Sequence, residues 1–298
     1  MTAGHVPVMT AEVLRQLQPG RGGVFVDCTV GLGGHSLALL EAGATRVIGL
    51  DRDEDALAQA RLALAAFADR VELVHADYRE IEMVLDRRGI ERVDGALADL
   101  GVSSMQLDTP GRGFSFQRDE PLDMRMDATT GETAAAIVAR ASEQELADAI
   151  YAYGEERFSR RIARSIVTAR REEPIATTGR LAAIVRRAVP RRGYMRIDPA
   201  TRTFQALRIW VNRELDGLDR FIETAVRHLK AGARLVIISF HSLEDRIVKH
   251  TLRALEQRRD PGSTVTVLTK KPVIPGDLEV EANPRARSAK LRAAERVA

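Results

Sequence analysis

The chain has 298 residues, enough for one large domain or for one domain carrying an insertion. Hydrophobic residues make up 45% and charged residues 29%, a balance that excludes a disordered chain and suits a soluble globular protein. A net charge of +3 permits a nucleic-acid partner without requiring one, so the distribution of charge has to decide. Polar residues interrupt every apolar stretch between Met1 and Gly20, which is not the pattern of a signal peptide. The longest strongly apolar run, Leu235 to Phe240, is too short to span a bilayer, so a cytoplasmic protein with no membrane partner is expected. The single cysteine, Cys28, reads as a buried small hydrophobe in a reducing compartment.

The first third alternates strand and helix signals. A buried strand is predicted over 24–30, followed by the glycine loop Gly31-Leu32-Gly33-Gly34-His35 and a short helix over 36–41. A second strand follows over 46–50, a helix over 54–68, a third strand over 71–75, a helix from Arg79 to Gly89, and a fourth strand over 93–100. Strands separated by helices of this length imply a parallel sheet. The rhythm breaks between Ser103 and Asp127, where Gly, Pro, Asp and Met dominate and a loop is predicted. Helices are predicted over 132–140, 143–153, 155–171 and 178–188, then a long helical region over 199–229. A strand over 234–240 and a helix over 244–257 resume the α/β pattern, and 265–269 and 290–297 are expected as closing edge strands. The fold class expected is therefore α/β, a Rossmann-type domain formed by 1–104 and 199–298 and interrupted by a mostly helical insertion over 105–198.

A strand, a glycine loop and a helix start together bind a polar nucleotide group, because the glycines admit the ligand to the backbone and the helix offers free N–H groups. Asp51 closes the second strand twenty positions after Gly31, where an acid accepts hydrogen bonds from ribose hydroxyls. The glycines fall as G-x-G-G and not as the dinucleotide pattern G-x-G-x-x-G. Asp27 stands just before the loop, and its charge suits the cationic amino-acid end of S-adenosylmethionine better than a pyrophosphate. Tyr78, with Asp77 beside it, follows the third strand and is placed to pack on adenine, or is an ordinary strand-end aromatic.

The end of the fourth strand reads Asp99-Leu100-Gly101-Val102-Ser103-Ser104, with Gln106 and Asp108 following. Methyl transfer from a sulfonium needs an in-line nucleophile held close. A cytosine amine is a poor nucleophile because its lone pair is delocalised into the ring, so an acceptor has to draw on its N–H. Asp99, with Ser103 or Ser104 as hydrogen-bonding partners, is the candidate for that role; a loop-capping Asp is the structural alternative.

The strings Asp99-Leu-Gly-Val-Ser-Ser-Met-Gln-Leu-Asp108, Arg112-Gly-Phe-Ser-Phe116 and Pro121-Leu-Asp-Met-Arg-Met-Asp127 resemble the bacterial 16S rRNA (cytosine-N4)-methyltransferase family (RsmH, also called MraW). Further matches are His5-Val-Pro-Val8, Gly154-Glu-Glu-Arg-Phe158, Pro199-Ala-Thr-Arg-Thr-Phe-Gln-Ala-Leu-Arg-Ile209, Val211-Asn-Arg-Glu-Leu215, Ser239-Phe-His-Ser-Leu-Glu-Asp-Arg246 and Asn283-Pro-Arg-Ala-Arg-Ser-Ala-Lys-Leu-Arg292. The resemblance covers nearly the whole chain. It implies methylation of the N4 amine of a cytidine in the decoding region of 16S rRNA within the small ribosomal subunit. It also implies S-adenosylmethionine contacts at Gly33, Gly34, His35, Asp51, Tyr78, Asp99 and Gln106, and a helical domain inserted in the methyltransferase. This chain departs from the family pattern at Asp198, where a histidine is frequent, and at Tyr78, where a phenylalanine is.

Two arginine-rich stretches are candidates for the RNA backbone: Arg186, Arg187, Arg191, Arg192, Arg196 and Arg202 in one, and Arg285, Arg287, Lys290, Arg292 and Arg296 in the other. A solvated face is the plainer account of either. Arg112, Phe114 and Phe116 are candidates to stack a displaced base, or the two phenylalanines belong to the core. Ser242 with Glu244 or Asp245 reads as a helix start, and His241 as that or as a substrate contact. The six histidines show no paired ligand spacing, so no metal is expected. A nicotinamide oxidoreductase and a non-catalytic ribosome-assembly factor remain as alternatives, and a homodimer is left open.

Overall fold

The computed structural model describes residues 7–190, 197–258 and 264–297. The chain first lays down α1 (Thr10–Leu17), β1 (Val24–Asp27), α2 (Gly34–Glu41), β2 (Arg46–Asp51), α3 (Glu54–Ala63), β3 (Val71–His75), α4 (Ile81–Asp86) and β4 (Val93–Asp99). A helical stretch follows: α5 (Ser104–Asp108), α6 (Ala134–Arg140), α7 (Glu143–Gly154), α8 (Ser159–Glu172), α9 (Thr178–Ala188) and α10 (Ala200–Asn212). The last stretch adds α11 (Leu218–Arg227), β5 (Leu229–Ser239), α12 (Ser242–Gln257), β6 (Val265–Val267), α13 (Asp277–Ala282) and β7 (Lys290–Arg296). Two compact units result, one of residues 1–101 and 215–298 and the other of residues 102–214.

The first unit is built on a seven-stranded sheet of order β3-β2-β1-β4-β5-β7-β6. β1 to β5 run parallel, while β7 is antiparallel to both β5 and β6. The strands are nearly continuous in Val, Ile, Leu and Ala because both faces are covered. Val26, Ile48 and Ala96, adjacent in register, face one apolar layer with Phe221 and Val226 of α11 and Leu252 of α12. Their sequence neighbours Phe25, Val47 and Leu97 face the other layer, with Leu39 of α2, Leu57 of α3 and Val13 of α1. This period-two split is why a strand slipped by one residue would turn its whole apolar set the wrong way.

β7 sits between β5 and β6 and is not an edge strand, as the sequence pattern suggested; β6 is the edge. α1 and α13 lie in segments where no helix is predicted. The long helical region over 199–229 is two helices, because Arg213 and Gly217 both adopt left-handed backbone (φ 51° and 69°).

The second unit encloses its own core, with Leu146 and Ile150 of α7, Ile162 and Ile166 of α8, and Leu181 and Val185 of α9. α10 belongs here: its Ala200, Phe204, Ala206 and Leu207 are buried in that core. The inserted unit therefore begins at 102 and ends at 214, wider than the 105–198 read from sequence. Asn212 fixes its return, accepting from the Met126 N–H (2.7 Å) and donating to the Met124 carbonyl (2.7 Å).

Candidate active site at the strand ends

In an open α/β sheet ligands bind beyond the carboxyl ends of the strands, at the point where strand order reverses. Here that point lies between β1 and β4, whose last residues are Asp27 and Asp99. Thr29, two positions past β1, couples the two strand ends, its hydroxyl accepting from the Asp99 N–H at 2.6 Å.

Asp27 is fully buried. Its carboxylate accepts from the Ser36 hydroxyl at 2.7 Å and from the Thr29 N–H at 3.3 Å. Burial pushes its pKa up, against the lowering pull of His35 and of those two hydrogen bonds. Asp51, ending β2, accepts from the N–H of Gly31 at 2.8 Å and from that of Asp53 at 2.9 Å. Burial lifts Asp51 to about 6 even so.

The glycine loop is thereby tied to β2 through Asp51, while Ser36 on the helix that follows is tied to β1 through Asp27. Gly33 has φ 86°, and an added Cβ would come within 3.1 Å of the Leu64 side chain, so both conformation and space call for glycine. It stands at the start of α2 and offers that helix no capping side chain. Pro7 lies against Gly34, and the Met9 N–H donates to Glu279 of α13 at 2.6 Å, so residues 7–9 flank the loop.

His35, on the first turn of α2, is 5% exposed, and neither ring nitrogen has a hydrogen-bond partner among the described residues. Its Nε2 stands 3.7 Å from Oδ2 of Asp99, whose Oδ1 is likewise buried and unpartnered. Burial opposes a charge on the ring, but the carboxylates of Asp99, Asp27 and Glu279 outweigh it and raise the His35 pKa. Unmade hydrogen bonds at buried polar atoms are costly, and they concentrate here at the switch point of the sheet.

Asp77, beyond β3, caps the short turn 78–80 in a capping box with Glu80 and binds Arg79 through both carboxylate oxygens. Tyr78 packs its ring on Phe221, 4.7 Å between centroids, and Arg79 stands over it. The carboxylates of Asp77, Asp51, Asp27 and Asp99 thus lie at or just past the ends of β3, β2, β1 and β4, with Arg52 and Arg79 paired to Asp77 and His35 beside Asp99. Such an edge attracts a cationic ligand and repels a pyrophosphate.

In the second unit Ser103 caps α5: its hydroxyl accepts from the Gln106 N–H (3.2 Å), and Gln106 Oε1 accepts from the Ser103 N–H (3.0 Å). The Ser104 side chain lies outside what the structure describes. Phe114 and Phe116 belong to the core, Phe116 edge-on to Phe204 at 4.7 Å, and Arg112 donates to the carbonyls of Arg125 and Met126. The structural alternative holds for the two phenylalanines.

The two arginine stretches also resolve. Arg191, Arg192 and Arg196 lie outside the described residues. Arg186 is paired with Asp198 (2.9 Å) and Arg202 with Glu156 (3.7 Å). In the second stretch Arg292 is buried on Asp245 (2.6 Å), Lys290 pairs with the same carboxylate (3.6 Å), and the buried Arg296 donates to the Leu229 carbonyl, while Arg285 and Arg287 are exposed. His241 caps α12 with Glu244, whose carboxylate accepts from the N–H groups of Phe240 and His241.

The model of the MraW methylase family matches residues 2–297. The chain belongs to this family. A Ribosomal RNA small subunit methyltransferase H of Sorangium cellulosum is 56% identical over 293 residues, covering 98% of this chain and 91% of that one. The protein of the same name from Cyanothece sp. is 53% identical over 294 residues, covering 98% and 95%. That from Geotalea uraniireducens is 50% identical over 307 residues, covering 98% of each. The methylase is an S-adenosylmethionine-dependent enzyme, which closes the oxidoreductase and non-catalytic alternatives. No helix among its described residues is long and apolar enough to cross a membrane.

Proposed function

We propose that this methylase transfers a methyl group from S-adenosylmethionine to the N4 amine of a cytidine in 16S rRNA of the small ribosomal subunit. The observation that carries the reading is the juxtaposition of Asp99 and His35 at the sheet's switch point, with buried polar atoms of both unpartnered. The relatives' shared name, ribosomal RNA small subunit methyltransferase, supports the substrate.

The residues present fit the cofactor. When bound, it supplies an electrophilic methyl carbon on a sulfonium. Asp51 accepts the ribose hydroxyls, a reading supported by its tie to the glycine loop through the Gly31 N–H. The loop Gly33-Gly34-His35 lets the ligand approach the backbone, and Asp27 gives the loop a negative floor. Tyr78 borders the adenine end, and Gln106 is a further cofactor contact by the resemblance to the family. Asp99 accepts an N–H of the cytosine amine, so that the nitrogen lone pair becomes available as the new bond forms. Its freedom from structural hydrogen bonds at Oδ1 leaves it able to do so. Ser103 accepts from the Gln106 N–H and keeps its own hydroxyl proton to donate to the base; Ser104 is the other candidate. The inserted unit takes RNA recognition.

The test is methyl transfer from labelled S-adenosylmethionine to small subunits lacking N4-methylcytidine, read by nucleoside mass spectrometry. Appearance of N4-methylcytidine is the expected result. Methylation of another atom, or of no rRNA-containing substrate, would overturn the substrate and leave the donor site standing. Light scattering on the same sample reads whether two copies associate in the cytoplasmic enzyme.

A further inference from the structure

The inserted unit carries nineteen arginines and no lysine against fifteen acids, a net +4, which leaves the sheet unit at −1. Most of the described arginines there are committed. Arg125 pairs with Asp123, Arg140 with Glu132, Arg180 with Glu173, and Arg208 with Glu214, while Arg170 holds the carbonyls of Val138 and Ala141. Arg118 and Arg187 stand exposed singly, and the other uncommitted arginines gather along α8.

α8 is sharply two-sided. Ile162, Ala163 and Ile166 are buried in the unit's core, and Arg160, Arg161, Arg164 and Arg171 are exposed on the other side. At 100° per residue these four arginines fall within an arc of about 100°, and they run about 16 Å along the axis. Arg157, at the foot of the helix, is also exposed and touches only the Phe158 ring. Arg160, Arg161 and Arg171 have no ion pair or hydrogen bond among the described residues. Arg164, 75% exposed, pairs with Glu143 at 3.3 Å.

We propose that this arginine face of α8 seats the phosphodiester backbone of the substrate RNA. The inference rests on the reading of the enzyme as an rRNA methyltransferase and adds where the RNA is held. Like charges three and four apart on a helix repel one another, so the stripe is a standing cost to α8 that the buried apolar side offsets. A polyanion removes that cost. Adjacent guanidiniums, about 5–6 Å apart at their Cβ atoms, engage successive phosphates, each through a planar fork of donors. Contacts of this kind position RNA without reading its sequence, leaving selection of the base to the site at the strand ends.

The test is the triple variant Arg160→Gln/Arg161→Gln/Arg164→Gln in the full-length enzyme, with Arg140→Gln as the paired control. RNA affinity is measured against salt on a 16S rRNA fragment, alongside methylation of small subunits. Each phosphate contact contributes about 0.7–0.9 to the slope of log K against log salt, so losing three lowers the slope by about 2 to 2.7. We expect that loss, at least tenfold weaker RNA binding near 0.1 M salt, and a raised KM with kcat retained. Melting temperature stays at or slightly above the wild-type value, since the repulsion along α8 is relieved, S-adenosylmethionine affinity is unchanged, and Arg140→Gln keeps the full slope. An unchanged slope in a variant that still methylates overturns the surface while leaving the function intact. An unchanged slope on RNA with lost methylation of assembled subunits assigns the face to a ribosomal protein instead. A wild-type enzyme that neither binds nor methylates rRNA overturns the function itself, and the surface with it.

Discussion

The imidazole of His35 stands 3.7 Å from the carboxylate of Asp99, the two coming from a helix start and a strand end 64 positions apart. Asp27 and Glu279 add their charge to the same ring. These carboxylates favour a proton on the ring, against the effect of its burial.

That arrangement gives His35 a pH signature. Its folded pKa lies above the ordinary value near 6.5, so the stability it contributes is present in full below about 6.5 and is lost as pH rises through the folded pKa. His35→Gln should therefore cost more stability at pH 6 than at pH 9, measured by urea unfolding at both. Equal losses at the two pH values would show that the ring acts by shape alone.

With Asp51 lifted to about 6, its proposed role toward the ribose hydroxyls sets an expectation for the acid side of cofactor binding. As the carboxylate it accepts strongly; protonated below about pH 6, it loses part of that capacity. S-adenosylmethionine affinity should weaken as pH falls below 6. Asp51→Asn should weaken it about 10- to 100-fold at pH 7.5, the worth of a charge-assisted hydrogen bond, and flatten the acid limb. Calorimetric titration across pH 5–8 checks both.

Asp99→Asn keeps the shape of the side chain and removes its power to accept a proton. Single-turnover methyl transfer should fall by about 10²- to 10⁴-fold, with cofactor affinity within tenfold of wild type. A rate within threefold of wild type would remove Asp99 from the chemistry.

Arg292 serves the fold. Burial opposes the charge on Asp245, but Arg292 and then Lys290 outweigh it and hold the carboxyl below its usual range. The pair stabilises above the ordinary carboxylate pKa near 4 and loses its effect as pH falls below that. Arg292→Gln should cost about 2–4 kcal/mol at pH 7, and Arg285→Gln/Arg287→Gln under about 0.5 kcal/mol. Thermal melts of the two variants separate the structural arginine from its exposed neighbours.

What the sequence told, and what it withheld, follows from the range of the interactions. The strand at 71–75 and the helix at 178–188 have the predicted limits, because their ends are set locally, by a strand's apolar run and by the Thr177 cap. The extent of the insertion was misread because the apolar stripe of α10 announces a helix without saying which core it enters. Arg292 and Arg296 looked like neighbours of Arg285 in a basic patch. In β7 they share one strand face with Lys290, a spacing of two that would have warned of a common buried side. The stripe on α8 was equally open to reading, since Arg160, Arg161, Arg164 and Arg171 repeat at three, four and seven. The partners of His35 were not: Asp99 and Glu279 come to it only through the closure of the sheet and the placement of α13.

The position of β7 has a bearing on biosynthesis. It follows every other strand in the chain, yet it lies inside the sheet, giving β5 its second neighbour and β6 its only one. While the polypeptide is being made, the parallel half can assemble, but β5 keeps an open ladder of N–H and C=O groups until residues 290–296 emerge. An open ladder of that kind is a template for mispairing with another chain. Ribosomes stalled upstream of Lys290 would therefore hold a nascent enzyme whose glycine loop and acids are already made but whose sheet still has a sticky rim.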